Sequence, residues 1–114
     1  MSAEKKLAGA GAALILKLLE EQDMYGYQIT ETLAQRSDET FRLKAGTLYP
    51  LLHSLEAEGA VRSYVQNAEG NRERRYYHLT ERGRKLLRQK EEEWDRYSAA
   101  VSKILKGGAG YAAV

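Results

Sequence analysis

Lys44–Leu55 reads K-A-G-T-L-Y-P-L-L-H-S-L. Leu48, Leu51, Leu52 and Leu55 fall at the i, i+3, i+4, i+7 spacing of a helix with one apolar stripe, which must be buried against other elements. Thr47, Tyr49, Pro50, His53 and Ser54 form the remaining face, polar, aromatic and hydroxyl-bearing, led in by Arg42 and Lys44 where a phosphate could sit. A helix that only solvates itself has no use for such a surface, whereas one that lies in a DNA groove does. Pro50 lacks an amide donor, which is tolerable only near a helix start, so the first turn is placed at about Ala45–Thr47.

On the N-terminal side of this helix, Phe41 and Leu43 alternate with Arg42 and Lys44, a short extended link. Before it, Ile29, Leu33 and Ala34 recur at helical spacing to about Arg36, and the polar run Ser37–Thr40 closes that helix. Gly26 marks its break from an earlier helix over about Glu4–Gln22. That first helix is apolar on nearly all sides through its middle, from Leu7 to Leu19, so it needs two covering partners: its own core and, through positions such as Leu14, a second subunit. Two helices joined by such a turn are a helix-turn-helix arrangement.

On the C-terminal side, Glu56-Ala57-Glu58-Gly59 ends the central helix with glycine just past the last turn. Val61–Val65 alternates apolar with polar, Gln66–Asn71 is a turn-forming loop, and Arg72–Leu79 alternates again. Arg75, Tyr77 and Leu79 share one side, and Arg74, Tyr76 and His78 the other. The pattern predicts a two-stranded antiparallel wing whose outgoing arm holds Arg72, Arg74 and Arg75, the densest positive cluster of the chain.

Thr80 is a good N-cap and Glu81 suits the positive end of a helix. From there Leu87, Trp94 and Val101 recur every seven residues, and Tyr97 and Ile104 sit three beyond two of them. This is a coiled-coil-like seam with one polar interruption at Lys90. It runs to about Lys106, roughly 40 Å at helical rise, more than one small core can cover, so part of it should pack against a second chain. Gly107–Gly110 ends the helix, and Tyr111–Val114 reads as a loose tail.

The 114 residues suffice for one domain with a projecting element: a winged helix-turn-helix over 1–79, a dimerisation helix over 80–106 and a tail over 107–114. Lys+Arg 18 against Asp+Glu 16 leaves a net charge of only +2, so charge distribution rather than bulk charge must argue for nucleic acid. The absence of cysteine excludes disulfides and thiolate metal sites. His53 and His78 fall on different elements without metal-ligand spacing, so neither a metal nor another cofactor is expected. The longest apolar run, Ala8–Leu16, is too short to cross a bilayer and has no signal-peptide pattern, which predicts a soluble cytoplasmic protein. No nucleophile, base and orienting group stand together, and Glu91-Glu92-Glu93 reads as a wet helix face, so an enzyme is not expected.

Three ordered segments go further: Y-G-Y-Q-I at Tyr25–Ile29, G-T-L-Y-P-L-L-H-S-L-E-A-E-G at Gly46–Gly59, and R-R-Y-Y-H-L-T-E-R-G at Arg74–Gly83. Over about Leu14–Trp94 the chain resembles the PadR family of bacterial transcriptional regulators. The resemblance implies a mainly α (α+β) winged helix-turn-helix, and a homodimer through a single C-terminal helix, as in the family's short members. It also implies an inverted-repeat operator on double-stranded DNA and repression relieved by a small molecule. The E-x-W-x-R-like context of Trp94 is similar to short members in which such a residue stacks on flat aromatic ligands at the dimer centre. The small, apolar run Ala8–Ala13 departs from the acidic or polar start of the family's first helix.

Candidate DNA contacts are therefore Tyr27, Gln28, Lys44, Thr47, Tyr49, Pro50, His53, Arg72, Arg74 and Arg75. Trp94 and Tyr97 are the candidate ligand contacts. Leu14, Leu87, Trp94, Tyr97, Val101 and Ile104 are the expected dimer interface. Each has a plainer alternative: a solvated helix face, a structural role for Arg75 beside Tyr77, and simple dimer packing for Trp94, Tyr97 and Val101. A rival function is a winged-helix module that meets an acidic protein partner through the same face and responds to no ligand.

Overall fold

Burial gathers the apolar positions of every helix and of the sheet into one cluster. In the computed structural model, which describes residues 10–107, the elements are α1 (Gly11–Glu21), β1 (Met24–Tyr25), α2 (Gly26–Arg36), α3 (Ala45–Ala57), β2 (Val61–Ala68), a 3-10 turn (Glu69–Asn71), β3 (Arg72–Leu79) and α4 (Glu81–Lys106). The core takes Ile15, Leu16 and Leu19 from α1, Ile29 and Leu33 from α2, and Leu48, Leu52 and Leu55 from α3. Val61, Tyr77 and Leu79 of the sheet and Leu87 of α4 complete it. Each such side chain contributes on the order of 1.5–3 kcal/mol on leaving water. This is the α+β winged-helix architecture that the sequence predicts.

Several boundaries differ from expectation. The first helix is described from Gly11; the earlier part of the expected Glu4–Gln22 span lies outside the described residues, as does the tail after Gly107. Gly26 does more than break two helices. The two residues before it form β1, which pairs antiparallel with β3 through Met24↔Tyr77 and Tyr25↔Tyr76, giving a three-stranded sheet in the order β1-β3-β2. Gln66, Asn67 and Ala68, expected in the loop, are strand: β2 pairs with β3 from Val61↔Leu79 to Ala68↔Arg72. Cross-strand hydrogen bonds override their turn-like composition, and the reversal shrinks to Glu69–Asn71, where Gly70 takes φ +75°.

The side of the sheet away from the core ties β1 down. Asp23 accepts hydrogen bonds from the Tyr64 hydroxyl at 2.6 Å and from His78 Nδ1 at 2.8 Å. Tyr64 stacks on Tyr76 at 5.7 Å between ring centroids, and Tyr25 meets Tyr76 edge-on at 5.4 Å. Burial alone would raise the Asp23 carboxyl, but those two hydrogen bonds hold it below its ordinary value of 3.8.

Helix α4 starts as the sequence predicts. The Thr80 hydroxyl accepts from the Gly83 amide at 3.0 Å and reaches back to the Gly59 carbonyl at 2.6 Å. Gly83 lets the helix lie against the chain: a Cβ there would stand 2.1 Å from the Ala60 carbonyl oxygen and 2.6 Å from Leu79 Cδ1. Surface ion pairs join α4 to α1, with Glu20 receiving Arg88 at 2.8 Å and Arg84 at 3.7 Å, and Lys17 meeting Glu91 at 3.6 Å. Leu87 requires a correction. Assigned to the dimer seam by its heptad position, it is 1% exposed inside the protomer's own core and has no surface left for a second chain. Past Glu91 the helix leaves the domain, with Trp94 54%, Tyr97 64%, Ile104 80% and Leu105 76% exposed. Among the described residues no helix is long and apolar enough to cross a membrane.

Because a backbone carbonyl cannot move out of the way as a side chain can, Gly83→Ala is expected to lose about 1–3 kcal/mol of stability, read from urea unfolding midpoints. Asp23 supplies a pH test. Its folded pKa is depressed, so its contribution is complete above the ordinary carboxylate value and is lost as pH falls through the lowered one. Asp23→Asn should therefore flatten the acid decline of Tm below about pH 4, measured by circular dichroism melts.

Candidate nucleic-acid interface

With Leu48, Leu52 and Leu55 turned inward, α3 presents Gly46, Pro50, His53 and Ser54 outward, all exposed. Thr47 sits half-buried at one margin. Tyr49 occupies the other, 40% exposed, with its ring over the first turn of α2: a Cβ on Gly26 would stand 2.3 Å from its hydroxyl. Glycine at 26 is thus the condition for Tyr49 to lie where it does. The helix starts at Ala45, as the sequence predicts, and Pro50 falls in its second turn. The missing amide leaves the Gly46 carbonyl without its intrahelical partner, and the exposed position of Gly46 makes that tolerable.

Lys44 is the exposed N-cap residue of α3, and no side chain caps the helix, so the first amides face solvent. Tyr27, in the first turn of α2, is 66% exposed. Gln28 sits further back, half-buried, with Oε1 accepting from the Tyr25 amide at 3.4 Å. Arg42 corrects the expectation that it leads a phosphate to the helix. Its guanidinium is held by Glu39 at 2.8 and 2.9 Å and by Glu31 at 3.0 Å, and these carboxylates raise its pKa further. An arginine neutralised twice has little charge to offer an anion.

The wing arginines separate. Arg75 lies on the α3 side of the sheet, exposed, donating through Nη1 to Ser63 Oγ at 3.1 Å. Arg74 takes the opposite side, as the strand alternation predicts, with its guanidinium 4.4 Å from the centroid of the Tyr25 ring and away from Arg75 and α3. Arg72 is exposed at the turn. None of Lys44, Arg72, Arg74 and Arg75 forms an ion pair among the described residues, whereas Arg36, Arg42, Arg84 and Arg88 all do. The cationic side chains flanking α3 and in the wing are thus among those left without carboxylate partners, together with Arg82, Lys85, Lys90, Arg96, Lys103 and Lys106 of α4.

Glu56 and Ser63 were missed by sequence reasoning. Glu56, on the same margin of α3 as Tyr49 and about two turns further on, accepts from the Ser63 amide at 3.1 Å and from its hydroxyl at 2.7 Å. The hydroxyl's hydrogen bond holds the carboxyl below its ordinary value. The only sequence signal was an acid at the helix margin facing a strand serine.

A second region lies between α1 and α4. A cavity of about 930 Å³ is lined by Ala13, Leu14, Phe41, Leu87, Trp94 and Tyr97, with Lys17, Lys90, Glu91, Glu93 and Asp95 at its margin. The Trp94 and Tyr97 rings stand 5.9 Å apart, tilted by 37°. Leu14 thus faces the same space as Trp94, while Val101 and Ile104 lie further along the uncovered stretch of α4. Among the described residues no three His, Cys, Asp or Glu side chains gather as a metal site.

Residues 15–89 match the transcriptional regulator PadR-like family. The chain belongs to that family. A transcriptional regulator from Clostridium thermocellum superposes with a TM-score of 0.82 at 35% identity, over 90% of this chain and 99% of that one. A PadR family transcriptional regulator from Eggerthella lenta gives 0.78 at 33% identity, over 90% of this chain and 87% of its own. A transcriptional regulator of Mycobacterium tuberculosis is 37% identical over 73 residues, 64% of each protein. Family and relatives are regulators of transcription rather than enzymes, and DNA-binding regulation is accordingly the function of this PadR-like chain.

The pairing pattern yields a direct comparison. Lys44→Ala is expected to weaken duplex binding and lower its salt slope by about 0.9, while Arg42→Ala leaves the slope unchanged, both read by fluorescence anisotropy across salt concentrations.

Proposed function

We propose that this regulator is a homodimeric repressor that reads an inverted repeat and is released by a planar aromatic molecule held beside Trp94. The observation that carries the reading is the pair of uncovered surfaces at the two ends of one rigid domain. At one end, α3 exposes Pro50, His53 and Ser54 between Lys44 and Arg75, cations without carboxylate partners. At the other, α4 exposes Trp94, Tyr97, Ile104 and Leu105, an apolar strip that a monomer would leave in water.

The DNA contacts follow by chemistry. Lys44 and the open amides at the start of α3 suit phosphate oxygens, with Thr47 and Tyr27 beside them. His53 and Tyr49 carry the hydrogen-bonding groups nearest a base edge. Arg75 and Arg72 of the wing add phosphate contacts, whereas Gln28 supports the start of α2 and Arg74 serves the sheet. Pairing of two α4 helices covers Trp94, Tyr97, Val101 and Ile104 and sets the separation of the two α3 helices, which must match half-sites about one helical turn apart. The cavity beside Trp94 then offers a flat aromatic molecule a stacking slot. Such a ligand acts by favouring a spacing that no longer fits the DNA. A protein working on chromosomal DNA in this way is a cytoplasmic one.

Sedimentation should find a dimer, and Ile104→Glu should shift it to monomer with at least a tenfold loss of affinity for a palindromic duplex. A monomeric wild-type chain, or equal affinity for palindrome and random duplex, rules the dimeric reading out. For the effector, planar aromatic compounds should quench Trp94, the one tryptophan, and weaken duplex binding over the same concentration range. Quenching without that coupled loss excludes release by such ligands.

A further inference from the structure

Helix α3 and the wing are joined by Glu58–Ala60 alone, and Gly59 turns there with φ +80°. Beside the core that Leu55, Val61 and Tyr77 share, a polar chain of three side chains ties the wing to the helix. The Glu56 carboxylate takes the amide and hydroxyl of Ser63 at 3.1 and 2.7 Å; the same hydroxyl accepts from Arg75 Nη1 at 3.1 Å. Each partner's role is used once: the serine proton goes to the carboxylate, and its lone pair receives the arginine. Glu56 and Arg75 form no direct ion pair among the described residues, so the guanidinium is held without being neutralised at contact. The contrast with Arg42, gripped directly by two carboxylates, is within the same molecule.

We propose that Glu56 is a positioning residue for DNA binding: acting through the Ser63 hydroxyl, it holds Arg75 beside the outward face of α3, so that helix and wing meet the phosphate backbone in one fixed geometry. The proposal rests on the reading that α3 and Arg75 face DNA. It makes a statement opposite in sign to simple electrostatics. A carboxylate near phosphates repels them, so its removal should tighten binding. A carboxylate that orders a phosphate-binding arginine should weaken binding when removed, because the arginine must then be ordered by the DNA itself.

The test uses the full-length chain and a palindromic duplex selected by that chain from a random pool. Glu56→Ala is expected to weaken binding by about two- to tenfold, the worth of one or two hydrogen bonds, and to lower the salt slope as Arg75→Ala does. Added to Arg75→Ala, it should cause no further loss, since the two act through one contact. Glu56→Gln, which still accepts from the serine, should restore most of the affinity. Ser63→Ala, which keeps the amide bond to Glu56, should weaken binding alongside Glu56→Ala and carries the test if the glutamate variant fails to fold in thermal melts. Unchanged or tighter binding in Glu56→Ala or Ser63→Ala, or a loss fully additive with Arg75→Ala, overturns the proposal. If Arg75→Ala itself has no effect, the proposal falls together with Arg75's place at the interface, while duplex selection and dimer formation by the wild type stand apart from it.

Discussion

Leu48, Leu52 and Leu55 enter the core from one side of α3, and that burial decides which side of the helix is left outside. The three are at most 2% exposed and meet α1, α2 and the sheet in the same cluster. Turning the helix by one residue would move about 100° of its surface, withdrawing His53 and exposing a leucine, at a cost of about 1.5–3 kcal/mol for each apolar side chain returned to water. Tyr49 adds a second stop, since its ring lies over α2 only because residue 26 has no Cβ. The orientation of the polar face is thus a consequence of packing behind it.

Charge is arranged by pairing rather than by excess. A net +2 would say little, yet Arg36, Arg42, Arg84 and Arg88 are each engaged by glutamates, and those pairs stitch α1 to α2, α2 to its outgoing loop, and α1 to α4. Being exposed, each is worth little in stability. Their larger effect is on the field: they cancel the charge of those four arginines, while Lys44, Arg72 and Arg75, like the unpaired cations of α4, keep theirs.

Most of this was legible in the sequence because the α3 leucines, the Arg72–Leu79 alternation and the Thr80 cap each have a period or a local chemistry that admits one reading. The failures have a common physical origin. β1 is two residues long, too short for any alternation to register, and exists because β3 offers it an open edge. Gln66–Ala68 have turn-like composition, but a neighbouring strand satisfied their backbone groups first. The heptad of α4 could say that Leu87 and Trp94 share a face and could not say what covers each: Leu87 is covered by its own chain and Trp94 stands in the open. Glu56, Ser63 and Arg75 come from three elements, so their association has no expression in spacing.

Leu87 is also the last fully buried residue of α4, and the helix runs on for about 28 Å beyond it at helical rise. Mechanically this is a cantilever with its root in the domain and its load on the free arm. A tilt of a few degrees at the root, small enough for side chains to absorb without repacking, displaces the tip by a few ångströms. Whatever grips the arm therefore gains leverage over the orientation of the reading head, and stiffness at the root, where Gly83 lies against Ala60, sets how faithfully that leverage is transmitted.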